Sequence, residues 1–266
     1  MYVLCPYKIV QKPTIENVKN LLGEYGYLIG EKEIEREDKP TIILKRWAEE
    51  NPGFEIISKS DRQITIAIIR IYIQYIERNP KTEFDKKSKR TEKVWEEEKL
   101  SRIFTLWIPL GIGDYNFMLS IGKIEEEDVQ KLISKILGTQ EDVQVVSYEE
   151  FDFKKVRSEF PNGWMHGCDK RPGTIESGTL YGDFNFEEVT ELSDFMREDG
   201  TETKQEGIIL TTSLGQRVRK IRVLREGKFQ IMGIPKEQFV NQNYRGNVMK
   251  ECFEIASELL EKAKKQ

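Results

Sequence analysis

Histidine and cysteine, the residues that most often bind catalytic metals or act as nucleophiles, are scarce in this sequence of 266 residues. The only histidine is His166, and the three cysteines (Cys5, Cys168 and Cys252) lie far apart. A catalytic triad would have to centre on His166, and no Gly-x-Ser-x-Gly motif offers a serine nucleophile. His166, Cys168 and Asp169 lack a second pair of ligands. We therefore predict no metal site, no cofactor and no catalytic residue.

Long apolar segments are absent as well. No apolar run approaches the ~20 residues that a membrane-spanning helix needs. The first residues carry no basic segment followed by an apolar core, which a signal peptide requires. Three scattered cysteines do not indicate a disulfide scaffold and favour a reducing compartment. We therefore expect a soluble intracellular protein, in the cytoplasm or the nucleus, without membrane contact.

Charge is abundant and nearly balanced, with 42 Lys and Arg against 46 Asp and Glu and a formal net charge of −4. As a whole, such a chain is not an obvious nucleic-acid binder, but a local basic face can exist within a negative total. Residues 79–100 are dense in charge and poor in apolar side chains. This pattern predicts an exposed, mobile insertion.

The clearest structural pattern is a hairpin near the C-terminus. Residues 218–224 alternate apolar and polar side chains, a loop ending in Gly227 follows, and residues 228–232 return. With this loop, Val223 pairs opposite Phe229, and Arg222 opposite Gln230. One face is then apolar, and apolar residues at helical spacing between Val248 and Ala263 predict a helix that covers it. The other face stays open and carries Lys220, Arg222, Leu224, Gln230 and Met232.

The remaining elements also alternate between strands and helices. Strands are predicted at residues 2–10, 25–34, 63–76, 103–108, 115–121, 143–148, 179–184 and 207–213, and helices at 14–22, 125–137 and 185–196. Residues 31–39 and 198–205 are predicted as polar loops and 160–173 as an irregular block. Residues 41–51 are ambiguous, and a helix through Trp47 is one interpretation.

The two halves of the chain have similar patterns. Thr14-Ile-Glu-Asn-Val and Asn185-Phe-Glu-Glu-Val each begin a helix that follows a strand, and both halves end in a hairpin, a glycine and a helix. We predict an α+β fold of two pseudo-repeated halves, with a curved antiparallel sheet and helices on one face. The first half is residues 1–140 and includes the insertion at about 79–100, and the second is residues 141–266.

The stretch Val223-Leu-Arg-Glu-Gly-Lys-Phe-Gln-Ile-Met-Gly233, followed by a helix, resembles the TATA-binding protein family, in diverged versions of viral or archaeal type. The family's order of strands and helices, present twice, is similar to the order predicted here. The resemblance implies a saddle-shaped sheet whose concave face enters the minor groove of double-stranded DNA. It also implies transcription factors or RNA polymerase as partners. Leu224 falls where the family has a wedging Phe, and Arg222 and Gln230 replace apolar positions that line the groove.

The open face supplies cations for phosphates, an amide for base edges and apolar side chains for sugars. Arg70, Tyr72 and Gln74, at alternate positions of the strand 63–76, offer similar chemistry. We therefore predict eight DNA-binding residues: Lys220, Arg222, Leu224, Gln230, Met232, Arg70, Tyr72 and Gln74. Ordinary solvation of a strand face would produce the same alternation. The two other functional hypotheses are a non-catalytic interaction module of adaptor or immunity type, and a diverged nuclease built around His166.

Overall fold

The computed structural model describes residues 2–20, 28–36, 39–48, 53–59, 62–85, 87, 89–110, 115–124, 126–139, 145–147, 150–168, 178–186, 203–211 and 217–263. In its first half the strands are β1 (Leu4–Ile9), β2 (Leu28–Arg36), β3 (Lys39–Ala48), β4 (Gly53–Lys59), β5 (Arg62–Asp85), β6 (Arg90–Pro109) and β7 (Phe117–Ile121). In its second half they are β8 (Val145–Ser147), β9 (Asn162–Cys168), β10 (Gly178–Asn185), β11 (Thr203–Thr211), β12 (Val218–Leu224) and β13 (Lys228–Ile231). The helices are α1 (Ile15–Asn20), α2 (Glu126–Leu137), α3 (Phe153–Glu159), α4 (Lys236–Val240) and α5 (Gln242–Lys262).

All of these strands belong to one antiparallel sheet, so the predicted α+β class is confirmed. Its order is β10-β9-β11-β12-β13-β1-β7-β6-β5-β3-β2, with β4 beside β5 and β8 beside β1. Strand β1 lies at the centre. One of its edges pairs with β7, and the other pairs with β13 at Leu4 and with β8 from Tyr7 to Ile9. The sheet is therefore continuous between the two halves of the chain.

The C-terminal hairpin has the register that the sequence predicts. Val223 lies opposite Phe229, and Arg222 opposite Gln230. Gly227 in the loop has a φ of 67°, the left-handed conformation that glycine adopts without steric cost. The turn thus sets the register, and the register fixes which side chains share each face.

Helix α5 covers the apolar face of this hairpin, as predicted. Phe229 and Val223 are fully buried, in one apolar cluster with α5 residues such as Cys252 and Leu259. Asn241 caps the helix by accepting a hydrogen bond from the backbone N–H of Asn243 at 3.0 Å. The cluster continues into the first half of the sheet through Trp107, Leu119 and Ile68. Helix α5 therefore packs against both halves.

A second apolar cluster lies on the opposite face of the sheet, and it corrects the prediction of helices on one face only. Leu4 belongs to the α5 cluster, whereas its neighbour Cys5 packs with the α2 residues Val129, Leu132 and Ile133. Successive side chains of a strand point to opposite faces, so α2 and α5 lie on opposite faces. The buried Tyr7 hydroxyl strengthens the α2 side by donating a hydrogen bond to the carbonyl of Ile124 at 2.6 Å.

The charged insertion forms a regular hairpin, which composition did not predict, and its mobility stays a prediction. Strands β5 and β6 pair without interruption as far as Asp85 opposite Arg90. Strand β5 pairs with β3 only as far as Glu77, and β6 pairs with β7 only from Thr105 onward. Residues 78–97 thus form a two-stranded arm beyond the rest of the sheet, because Glu98 and the residues that follow it lie opposite the part of β5 that pairs with β3. Backbone pairing holds such an arm without an apolar stripe, so composition did not reveal it.

We expect trypsin to cut this arm first at its tip. Lys87 and Lys89 are exposed beside the turn, whereas Lys81 and Lys93 lie within the paired strands. Proteases prefer exposed loop tips, because they need an extended, unpaired backbone. The measurement is limited proteolysis followed by mass spectrometry of the first fragments. Initial cleavage within residues 217–263, with the tip intact, would contradict this description of the arm.

Several local predictions were wrong. Residues 31–39 lie mainly in β2, and residues 41–48 form β3 rather than a helix. The irregular block at 160–173 contains β9, the polar loop at 198–205 runs into β11, and helix α3 was not foreseen. The helix predicted at 185–196 begins at Asn185, the last residue of β10, and its remainder lies almost entirely outside the described residues.

Two further findings bear on chemistry. Cys5 and Cys252 are buried free thiols, and burial raises the pKa of Cys5 to about 12, which leaves it protonated and a poor nucleophile. Among the described helices, none is long and apolar enough to cross a membrane.

Candidate nucleic-acid interface

The five C-terminal candidates lie together on the sheet face that points away from α5. Arg222 and Gln230 are paired across the hairpin, and Lys220 and Leu224 share their face by alternation. Lys220 is exposed, whereas Arg222, Leu224, Gln230 and Met232 are half-buried. We call the surface formed by these five residues the C-terminal face. None of the described helices packs on it.

Arg70 and Tyr72 lie on the other side of the sheet. Residues paired across neighbouring strands share a face, and a continuous row of pairs joins Arg70, Thr105, Ile121, Leu4, Phe229 and Val223. Arg70 thus points to the α5 side, where it lines a groove with Phe239 and Arg245. Gln74 follows in the same strand, and its side chain is outside the described part. The eight predicted residues therefore do not form one surface.

Hydrogen bonds hold Arg222 in place on the C-terminal face. Its Nε donates to Oε1 of Gln205 at 2.7 Å, and its Nη2 donates to the same oxygen. Its Nη1 reaches Oε1 of Gln230 at 3.4 Å. Gln205 in turn donates from Nε2 to the hydroxyl of Thr179, also at 3.4 Å. The guanidinium is thus positioned before any ligand binds and keeps further N–H donors for an anion.

Two aromatic residues that the sequence analysis did not select extend this face toward the sheet edge. Tyr181 in β10 is 73% exposed, and its ring centroid lies 6.4 Å from that of Trp164 in β9. Lys220 is close to this aromatic pair, with Nζ 5.8 Å from the centre of the Trp164 ring. Alternation within 179–184 could have placed Tyr181 on an exposed face. Only the pairing of β9 with β10 brings it to Trp164.

Among the described residues at the C-terminal face, the cations Lys220, Arg222 and Lys228 lie near the carboxylates of Glu226 and Asp183. Lys228 donates to a carboxylate oxygen of Glu226, and that hydrogen bond lowers the pKa of Glu226. Lys220 donates to Oδ1 of Asp183 at 2.9 Å, where both side chains are largely solvated. Exposed pairs of this kind contribute little to stability, so a phosphate can replace the carboxylate at small cost. Arg222 has no carboxylate partner among the described residues.

Arg219 shows how the covered face differs. It alternates with Lys220 and therefore points toward α5, where it donates to both carboxylate oxygens of Glu251 at 2.5 and 3.0 Å. The Glu251 hydrogen bond raises the pKa of Arg219. This cation anchors the helix, and it has no part in the C-terminal face.

His166, the residue around which an enzyme would have to be built, is buried in a polar cluster under α3. Its Nδ1 lies 3.0 Å from Oε1 of Glu206, and Nε of Arg157 donates to the same oxygen at 2.7 Å. Nη2 of Arg157 also donates to the hydroxyl of Thr203 at 2.6 Å. His166 is 1% exposed and Glu206 is fully buried. The cluster joins α3 to β9 and β11.

Metal binding has no support from the described residues, since no three His, Cys, Asp or Glu side chains among them are placed to hold an ion. No protein-family model matches the chain, and no significant match to a curated protein or to a solved structure was found. The resemblance to the TATA-binding protein family therefore rests on the residues around 223–233 and on the order of elements.

Proposed function

We propose that this chain binds duplex DNA through its C-terminal face, as a non-catalytic, TATA-binding-protein-like and transcription-associated protein. The observation that carries the proposal is the juxtaposition of Lys220 and Arg222 with Leu224 and Met232 on one face, on which none of the described helices packs. Cations attract phosphates, and half-buried apolar side chains pack against sugars or base steps. The hydrogen bonds of Arg222 with Gln205 and Gln230 hold its guanidinium in one position on this face, which supports a role in binding.

The arrangement of the two halves limits how such a protein would contact DNA. The order strand, helix, several strands, hairpin, helix occurs in residues 1–140 and again in 141–266, and this order supports a pseudo-repeat. The outer strands of the two halves are ordered differently, however. In the first half the outermost strand is β2, the earlier strand of the β2–β3 hairpin, whereas in the second half it is β10, the later strand of the β9–β10 pair. With α2 and α5 on opposite faces, we propose a footprint on the second half alone rather than across a complete saddle.

Charge reversal at Arg222 is the first test. We expect Arg222→Glu to weaken duplex binding and to make the slope of log affinity against log salt shallower by about one unit, because one phosphate contact is lost. Arg70→Glu is the matched control, since it makes the same charge change on an exposed residue of the opposite face. Fluorescence anisotropy at several salt concentrations, on AT-rich and GC-rich duplexes, measures both quantities.

An apolar variant separates packing from charge in the same experiment. Leu224→Ala should weaken binding with little change in the salt slope, because an apolar contact releases no counterion. Equal effects of Arg222→Glu and Arg70→Glu would contradict the assignment of the binding face. A complex with another protein that survives high salt, in the absence of any DNA affinity, would favour the interaction-module hypothesis instead.

A further inference from the structure

Strands β9 and β10, at the edge of the sheet beside the C-terminal face, carry a pair of aromatic rings, of which Tyr181 is exposed and Trp164 is half-buried. Trp164 and Tyr181 have ring centroids 6.4 Å apart and an interplanar angle of 32°. Tyr181 is the most exposed large apolar or aromatic side chain of the described residues, at 73%. Exposing this much aromatic surface is unfavourable in water, and such surfaces often mark binding sites.

The indole of Trp164 is fixed in position by the strand beneath it. Gly207 in β11 leaves room for the ring, since a methyl group there would lie 2.7 Å from Cε2 of Trp164. The indole Nε1–H donates to the backbone carbonyl of Ile221 at 3.3 Å. Close packing on Gly207 and this hydrogen bond hold the indole in one orientation. The ring therefore loses little further conformational freedom when a ligand stacks on it.

A cation accompanies the rings. Nζ of Lys220 lies 5.8 Å from the centre of the Trp164 ring and 2.9 Å from Oδ1 of Asp183. Asp183 is well exposed, with 76% side-chain accessibility, so solvent screens this ion pair strongly. Lys220 can therefore exchange the carboxylate for a phosphate without losing a buried contact.

We propose that Trp164 and Tyr181 stack on an unpaired base while Lys220 neutralises its phosphate, so that the C-terminal face takes single-stranded nucleic acid. Aromatic rings beside a basic groove are the features by which proteins bind single strands, because every base offers a flat face. In a duplex the neighbouring base pairs cover those faces. Stacked bases lie about 3.4 Å apart, so a base between the two rings would need about twice that separation, close to the present centroid distance of 6.4 Å.

This inference rests on the proposed function, because the cations of the same face supply the attraction for the backbone. Its test uses labelled 12-nucleotide oligo(dT) and oligo(U), which distinguish DNA from RNA, alongside the duplexes. We expect Tyr181→Ala to lower single-strand affinity about 5-fold or more, the loss typical of one stacked base, and duplex affinity to stay within about 2-fold of wild type. Tyr181→Phe keeps the ring and should retain binding. Tyr244→Ala, the same substitution at a residue of α5 that is 54% exposed, is the matched control, because α5 lies on the opposite side of the sheet.

Tryptophan fluorescence is a second readout, which distinguishes stacking on Trp164 from an indirect effect of Tyr181→Ala on the fold. Stacking of a base on Trp164 should quench tryptophan fluorescence on titration with oligo(dT), and Trp164→Phe should remove most of that quenching. If wild-type protein binds duplexes and single strands, but Tyr181→Ala changes neither affinity nor quenching, the stacking inference is wrong and the proposed function stands. If it binds neither form at low salt, both fail. Binding of single strands alone, lost in Tyr181→Ala, would support the inference and contradict the proposed duplex binding.

Discussion

Replacing Phe229 by alanine is expected to destabilise the protein by about 3–5 kcal/mol, the usual cost of removing a large buried side chain. Phe229 is fully buried between Val223 and Leu4, its partners in the neighbouring strands, and under α5. The cavity would open in the cluster that joins the two halves of the sheet. Urea unfolding followed by circular dichroism measures the change as a shift of the midpoint.

The control for this variant is the next residue in the same strand. Gln230→Ala removes a half-buried side chain from the opposite face, whose one described hydrogen bond, from Arg222, is 3.4 Å long. We expect a loss of about 1 kcal/mol at most, the contribution of an ordinary hydrogen bond. A large loss from Gln230→Ala with a negligible one from Phe229→Ala would mean that the two faces are assigned the wrong way round.

A second large effect is expected at Glu206. Glu206→Ala removes the only described carboxylate that faces both Arg157 and His166, and the Arg157 side chain is only 13% exposed. Breaking a buried pair leaves an uncompensated polar or charged group, and we expect a cost of about 3 kcal/mol, at the lower end of the usual range because Arg157 keeps some solvent contact.

Thermal and urea unfolding of Glu206→Ala measure this cost. The control is Glu261→Ala, which removes an exposed carboxylate of α5. The control should stay within about 0.5 kcal/mol of wild type, because surface substitutions away from special contacts change stability little. Glu206 also has one carboxylate oxygen, Oε2, without a hydrogen-bond partner among the described residues. Wild-type stability of Glu206→Ala would show that the cluster contributes no net stabilisation.

The C-terminal hairpin could be predicted from sequence because all of its determinants are local. Alternation in 218–224, Gly227 in the turn and the helical spacing up to Ala263 fix the register and the covered face within 46 residues. Strand β9 could not be predicted in this way. Gly163 and Gly167 interrupt its pattern, and the second of these leaves room for Gln205, whose Cγ would lie 2.5 Å from an added methyl group. A glycine that serves tertiary packing looks like a loop residue in the sequence.

Sequence alone could not predict that Arg70 and Tyr72 lie on the face opposite the C-terminal face, because this depends on long-range strand pairing. Each strand's alternation separates its two faces but does not say which face of one strand continues into which face of another. Here that depends on the register across six strands, from β5 to β12, through the single pairing of Leu4 with Phe229. The arm at 78–97 could not be predicted for another reason. Its two strands satisfy each other's backbone hydrogen bonds. The arm therefore does not need an apolar face, and its side chains can be charged.

The most direct measurement of the central claim is the salt dependence of wild-type affinity for duplex DNA. Fluorescence anisotropy with labelled AT-rich and GC-rich duplexes, from low to physiological ionic strength, provides it. If the C-terminal face binds phosphates, the logarithm of the affinity should fall linearly with the logarithm of the salt concentration, with a slope of about −0.9 for each phosphate neutralised. With Lys220 and Arg222 both engaged, we expect a slope of about −2. Folded protein that binds neither duplex at low salt would contradict the account.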